Sequence, residues 1–208
     1  MSAFQQRPQR EDSPLDQLIR ALASLPGLGP RSARRIALHL LSRRDTALNQ
    51  LSQALNVAAE QIKPCGTCGN LDVTDPCRIC AAPDRARGQI CVVAGVSDLW
   101  AIERTGAYRG QYHILGGLLS ALDGVRPEDL SIDKLVDRAA NGNTNEIIMA
   151  LSATVDGQAT AHIIADRLNH LPNVGDLKIS RLAHGIPVGG DLDYLDDGTI
   201  ATAMKSRL

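Results

Sequence analysis

Cys65-Gly66-Thr67-Cys68, eight intervening residues and Cys77-Arg78-Ile79-Cys80 make two Cys-x-x-Cys knuckles. One such knuckle wraps an ion from one side, and two facing each other complete a closed tetrahedral set. The pattern therefore reads as one structural Zn²⁺ per chain, held by Cys65, Cys68, Cys77 and Cys80 with no position left open for catalysis. Nothing in the chain suggests the oxidising compartment that disulfides need. A redox Cys-x-x-Cys normally comes once, at the head of a helix, rather than as a facing pair. An iron–sulfur cluster is the remaining alternative for four thiolates. The fifth cysteine, Cys91, lies in the apolar run Ile90-Cys91-Val92-Val93 and reads as a small buried hydrophobe.

Upstream of the cysteines the chain has helical periodicity. Ser13-Pro14 is a helix start, a capping hydroxyl followed by a residue with no N–H to satisfy. Leu15, Leu18, Ile19, Leu22 and Leu25 then form one apolar stripe. Pro26-Gly27-Leu28-Gly29-Pro30 breaks that helix. A second follows with Ala33, Ile36, Ala37, Leu40 and Leu41 as its stripe, and His39 beside the stripe reads as packing. The turn resembles a helix-hairpin-helix. Gly27 and Gly29 would let the backbone approach a ligand, and the start of the second helix offers unpaired N–H groups at its positive end. Leu48, Leu51, Leu55, Ala58 and Ile62 lay a third amphipathic helix, ended by Pro64.

Charge gives this segment a direction. The formal net charge of -1 argues at face value against a polyanion partner, but residues 1–44 carry +5 and the remainder -6. A run of one sign can be a solvated helical face or a phosphate-binding module. Arginines in the helical turn next to a Gly-x-Gly turn, here Arg31, Arg34 and Arg35, favour DNA. Aromatic residues are only 2% of the chain, too few for a base-stacking platform. Binding is expected to be sequence-independent, salt-sensitive and confined to the backbone. A single hairpin offers few phosphate contacts, so a homo-oligomer presenting several would gain by avidity.

From residue 89 strands and helices alternate. Strands are predicted at Ile90–Val93, Tyr112–Leu115, Ile147–Leu151 and Leu177–Leu182. Helices are predicted at Asp98–Arg104 with Ser97 as cap, at Ile132–Ala140 and at Ala159–Leu168. Such alternation implies a mostly parallel sheet with ligand loops at the carboxyl ends of its strands. Ser152, His184 and Asp191 lack the Gly-x-Ser-x-Gly elbow of a hydrolase triad. The glycines at 116–117 and 189–190 lack the Lys-Ser/Thr of a P-loop. Asp191, Asp193, Asp196 and Asp197 read as a solvated turn. The polar start and the lack of any apolar run near the roughly 18 residues of a span predict a soluble, intracellular protein with no membrane segment.

A helix-hairpin-helix, a four-cysteine zinc module and a small α/β domain, in this order and length, resemble the bacterial RecR family of recombination mediators. The resemblance covers nearly the whole chain. Its most specific stretches are Thr105-Gly106-Ala107-Tyr108-Arg109-Gly110, His113-Ile114-Leu115-Gly116-Gly117 and Ala183-His184-Gly185-Ile186-Pro187-Val188-Gly189-Gly190. It implies an α+β multi-module chain: a helix-hairpin-helix module (1–63), a four-cysteine zinc finger (64–81), a Toprim-like α/β domain (88–182) and a C-terminal oligomerisation segment (183–208). It further implies a non-enzymatic, cytoplasmic, nucleoid-associated protein that forms a dimer or tetrameric ring around DNA. RecO and RecF are the implied partners in loading RecA at gapped or damaged DNA. Toprim domains usually place a Glu straight after the first strand, where this chain has Ala94. Asp98 and Asp156 are the acidic remnant, a poor set for the several oxygen ligands that Mg²⁺ wants. The alternative, a Mg²⁺-dependent Toprim nuclease or primase, is disfavoured by Ala94.

Overall fold

The Oγ of Ser13 accepts the N–H of Asp16 at 3.2 Å, and α1 (Pro14–Ala23) begins there as the Ser-Pro pair predicts. The structure, a computed structural model, describes residues 13–141, 143–171, 177–183 and 191–205. It divides into two units, residues 1–61 and 62–208.

In the first unit α2 (Pro30–Ser42) packs on α1 through small side chains, with Ala33, Ala37 and Leu40 buried. Alanines at that seam let the two backbones come close. His39 is exposed, which corrects the expectation that it packs. It stands four residues after Arg35 and eight after Arg31, and that spacing puts it on their side of the helix. A single π-helical turn (Arg44–Leu48) leads into α3 (Asn49–Gln61), so Leu48 belongs to the turn and not to the helix. None of the residues of α3 is buried, and its stripe residues Leu51 and Leu55 are 40% and 61% exposed.

The second unit opens on a short antiparallel hairpin, β1 (Lys63–Pro64) with β2 (Leu71–Asp72), and one turn of helix, α4 (Arg78–Ala81). The α/β region follows as β3 (Ala86–Val93), α5 (Val96–Thr105), β4 (Gly110–Ile114), α6 (Ile132–Asn141), β5 (Glu146–Met149), α7 (Val155–Asn169) and β6 (Lys178–Arg181). A last helix, α8, spans Asp197–Lys205. The sheet order is β4-β3-β5-β6 and every pairing is parallel.

The run Ile90–Val93 is apolar throughout because β3 is covered on both faces. Ile90 and Val92 join Ile147, Met149, Leu135 and Ile164 on the α6–α7 side, while Cys91 and Val93 join Leu99, Tyr112 and Ile114 on the α5 side. Successive side chains of a strand alternate faces, so one short run feeds two cores. Cys91 is accordingly a buried hydrophobe, its thiol pushed up to about 12 by burial alone.

Two predicted helix starts move. The carboxylate of Asp98 accepts the N–H of Gly95 at 2.9 Å, so α5 begins at Val96 with Gly95, rather than Ser97, in the cap position. Thr154 accepts the N–H of Gly157 and starts α7 at Val155, four residues ahead of the predicted Ala159. His184 and the glycines at 189–190 lie outside the described residues, as does most of the stretch 183–190.

His113 is 2% exposed, and its Nε2 lies 2.8 Å from the carbonyl of Ser131 while its Nδ1 lies 3.1 Å from Nη1 of Arg138. A guanidinium can only donate, so Nδ1 accepts, Nε2–H donates and the ring is neutral. Burial first, and the charges of Arg138 and Lys134 after it, lower its pKa to about 4. A histidine whose folded pKa lies below its unfolded value of about 6.5 stabilises the fold above that value and loses the contribution as pH falls toward 4. We expect His113 to account for about 3 kcal/mol of the stability that denaturant unfolding shows lost between pH 7 and pH 4, beside what protonation of the thiolates removes. A His113→Gln variant should lack that part of the pH dependence; equal slopes in the two proteins would contradict the assignment.

Candidate metal centre and nucleic-acid interface

The two knuckles fold by different local rules onto one point. In the first, the N–H of Cys65 donates to the carbonyl of Asn70 at 2.7 Å and that of Gly69 to the carbonyl of Cys65 at 2.9 Å. Gly69 has φ +81, and a Cβ there would also press on Ile114, so the turn requires glycine. In the second, Cys77 caps α4 and its carbonyl receives the N–H of Ala81. All four cysteines are buried, their sulfurs within 4.8 Å of one another. The Cys68 and Cys77 sulfurs are 3.6 Å apart, close to the edge of about 3.8 Å that a tetrahedron with Zn–S bonds of about 2.3 Å requires.

The same sulfurs accept backbone N–H groups, Asn70 to Cys68 at 3.4 Å and Cys77 to Cys65 at 3.3 Å. Such bonds favour the thiolate form. The Cys68 thiol is pushed down to about 5, first by its contact with Cys80, while the Cys80 and Cys77 thiols are pushed up. A negative charge on Cys68 opposes ionisation of Cys77 and Cys80. A divalent cation removes that opposition and ionises the remainder. No disulfide forms, since all four thiols are free. The four cysteines fit a single zinc ion, and a full set of four thiolates makes it structural.

Asp72, which no spacing in the sequence singles out, locks the two knuckles together. Its carboxylate is buried in β2 and accepts the backbone N–H groups of Val73 at 2.8 Å and Arg78 at 3.0 Å. The Arg78 guanidinium adds a contact at 3.3 Å. These bonds, the Arg78 N–H first, hold Asp72 below the usual carboxylate range. An acidic residue between two knuckles is its one available signal. The module is also tied to the sheet, because the N–H of Ile114 in β4 donates to the carbonyl of Cys68 at 2.8 Å.

At the hairpin, Gly27 has φ +78, a left-handed conformation that favours glycine, whereas Gly29 is in extended backbone that any residue adopts. Nothing lies within 4 Å of a Cβ built at either position. Gly29 is therefore distinguished by access and not by conformation. Its carbonyl receives the first intrahelical bond, from the N–H of Ala33, so the Arg31 and Ser32 N–H groups precede the helical ladder. Arg31, Arg34 and Arg35 are all exposed.

The carboxyl ends of β3 and β5 lie side by side, with the N–H of Ala150 bonded to the carbonyl of Val92. Ala94 follows β3, Asp98 is in the first turn of α5, and the exposed Asp156 is in the first turn of α7. Asp98 is engaged by the Gly95 N–H. Among the described residues the grouping of three or more metal-ligating side chains is the cysteine set, and neither Asp98 nor Asp156 joins such a group. Ser152 is bonded to Thr154 at 2.8 Å. In the acidic tail Asp196 accepts the Thr199 N–H and hydroxyl at the start of α8.

Comparison with known proteins follows this same division. Four family patterns match in order: the RecR helix-hairpin-helix at residues 15–59, the RecR four-cysteine zinc finger domain at 62–82, the Toprim domain at 88–183 and the RecR C-terminal region at 185–207. The chain is 58% identical over 193 residues to recombination protein RecR of Maricaulis maris, covering 93% of this chain and 94% of that one. It is 56% identical over 200 residues to the RecR of Hyphomonas neptunium, covering 96% and 98%, and 54% identical over 193 residues to that of Methylobacterium radiotolerans, covering 93% and 94%.

The chain belongs to the RecR family.

Its zinc-finger segment is thus the one in which both the RecR pattern and the sulfur geometry coincide. No helix among the described residues is long and apolar enough to cross a membrane. We expect protein purified without chelator to contain about one zinc per chain. Cys80→Ser should reduce zinc content severalfold or more and lower the unfolding midpoint, whereas Cys91→Ser should leave zinc content unchanged. Emission spectrometry of the metal in the three proteins checks this, and a wild-type zinc content near zero would refute the four-thiolate site.

Proposed function

We propose that this chain is a non-enzymatic DNA-binding recombination mediator in DNA repair. It acts with RecO and RecF to load RecA at gapped or damaged DNA, as a homo-oligomeric ring that can surround the DNA. The observation that carries the DNA reading is the exposed set Arg31, Arg34 and Arg35 in the first turns of α2, directly after the left-handed turn at Gly27. Cations there stand beside N–H groups that precede the helical ladder, and both suit a phosphate. The similarity to proteins named recombination protein RecR supports the cellular role.

In this reading residues 1–63 bind DNA, 64–81 form the zinc module, 88–182 present partner surfaces and 183–208 help pair subunits. Gly27 and Gly29 shape the hairpin; Arg31 and Arg35 neutralise phosphates, with Arg34 secondary. The exposed Leu51 and Leu55 of α3 support oligomer formation, since a second copy would remove that apolar stripe from water. Asp98 and Asp156 serve no metal-dependent step: Ala94 stands where a Toprim Glu would be, and Asp98 caps α5. The protein works in the cytoplasm, associated with the nucleoid.

Equilibrium DNA binding across a salt series, comparing wild type with an Arg31→Ala/Arg35→Ala variant, tests this function. Affinity should fall, and the slope of log K against log salt should flatten by about 1 for each arginine that contacts a phosphate. The loss should be uniform across DNA sequences. Unchanged affinity and slope would show that the hairpin is not the DNA site, and Mg²⁺-dependent nicking or synthesis abolished by Asp98→Ala would show that the protein is an enzyme.

A further inference from the structure

The amino-terminal edge of the sheet, opposite the edge that carries Ala94 and Asp98, holds a cavity of about 390 Å³. Thr67, Arg87, Gln111, Arg138, Asn143 and Thr144 line it together with one apolar residue, and no carboxylate does. These side chains come from the first cysteine knuckle, β3, β4, α6 and the loop before β5. No spacing in the sequence announces the group, because five separate segments assemble it.

No carboxylate among the described residues pairs with either guanidinium. The Arg138 guanidinium is held by neutral acceptors: the Tyr112 carbonyl at 2.8 Å, His113 Nδ1 at 3.1 Å and Gln111 Oε1 at 3.2 Å. Those three bonds leave donors of its five unused. Because Gln111 accepts through its oxygen, its NH₂ group remains available to donate. Arg87 is exposed, and among the described residues its guanidinium has no hydrogen-bond or ionic partner. Two guanidiniums, two amides and two hydroxyls around one cavity, with no acid among them, form a receptor for an oxyanion.

We propose that this cavity is a phosphate-binding site, separate from the hairpin, which takes either a phosphate of a nucleic-acid backbone or a free phosphate compound. A tetrahedral oxyanion suits donors supplied from several directions better than a planar carboxylate does. Arg138 is the fixed floor of the site, oriented by Tyr112, His113 and Gln111. Arg87 is the exposed second cation on the rim of the site.

Arg87 is the position to change, since Arg138→Ala would also strip hydrogen bonds from β4. Pyrophosphate titrated calorimetrically into the zinc-loaded full chain should bind wild type and the Arg31→Ala/Arg35→Ala variant alike. It should bind Arg87→Ala about tenfold more weakly or worse, with Arg87→Lys in between. Single- and double-stranded oligonucleotides across a salt series separate the two sources. A slope flattened by about 1 in Arg87→Ala, with or without pyrophosphate binding, assigns the site to the nucleic-acid backbone. An effect on pyrophosphate alone assigns it to a free phosphate compound. The proposal is overturned if Arg87→Ala changes neither measurement, or if pyrophosphate binding disappears in the hairpin variant instead.

Discussion

β3 is the strand on which the second unit depends. It pairs with β4 on one side and β5 on the other, and its last four residues alternate between two cores. Ile90, Cys91, Val92 and Val93 are each at most 2% exposed. At about 1.5–3 kcal/mol for a fully buried aliphatic side chain, this run contributes more than any other four consecutive residues could from one covered face. Its two ends then set the chemistry. The carboxyl end delivers Ala94 and the turn capped by Asp98, and the amino end places Arg87 beside the zinc module. A strand buried on both faces cannot slip by one residue without moving a side chain into the wrong core, so both ends are fixed by the same packing.

The zinc module is fixed to this frame by electrostatics as well as by the bond from Ile114 to Cys68. Four thiolates around Zn²⁺ leave two net negative charges close to the sheet. Burial works against the charge of Arg138, and the thiolates of Cys80, Cys68 and Cys65 work for it. A cation held by neutral acceptors is thus favoured by the neighbouring sulfurs and opposed by its burial. Asp72 performs the complementary task inside the module, where a carboxylate accepting backbone N–H groups sets the distance between the knuckles.

Much of this is legible in local pattern, and the exceptions share a cause. The cysteine spacing, the Ser13-Pro14 start and the run Ile90–Val93 are signals contained within a few residues, and each appears where expected. β3 itself starts at Ala86, because Ala86 pairs with Gly110, the Gly88 carbonyl accepts the Asn145 N–H and Gln89 pairs with Glu146, backbone bonds that apolar periodicity does not announce. Periodicity starts α7 too late because Gly157 has the character of a turn. It lies inside the helix instead, at a point where a Cβ would collide with the Ser152 carbonyl. Ser97 has the chemistry of a cap for α5, but Asp98 reaches the Gly95 N–H and moves the start back. His39 adjoins an apolar stripe, which suggests packing, whereas the alanine seam is narrow enough to leave it in water. In each case the local backbone geometry or the width of a packed seam overrides what residue type alone suggests.

The distribution of charge carries the functional argument further than its total does. Asp72, Asp98, Glu103 and Glu146 are committed to internal bonds, whereas residues 1–44 carry three acids against eight arginines. Glu103 holds Arg85, and Glu146 holds Lys178, so several cations of the α/β region are neutralised where they stand. Arg31, Arg34, Arg35 and Arg87 have no ion pair among the described residues, and they sit at the hairpin and at the amino edge of the sheet. A chain of net charge near zero can therefore still present concentrated positive sites to a polyanion. Near-neutrality is reached with charges paired where they hold structure together and left unpaired at exposed positions.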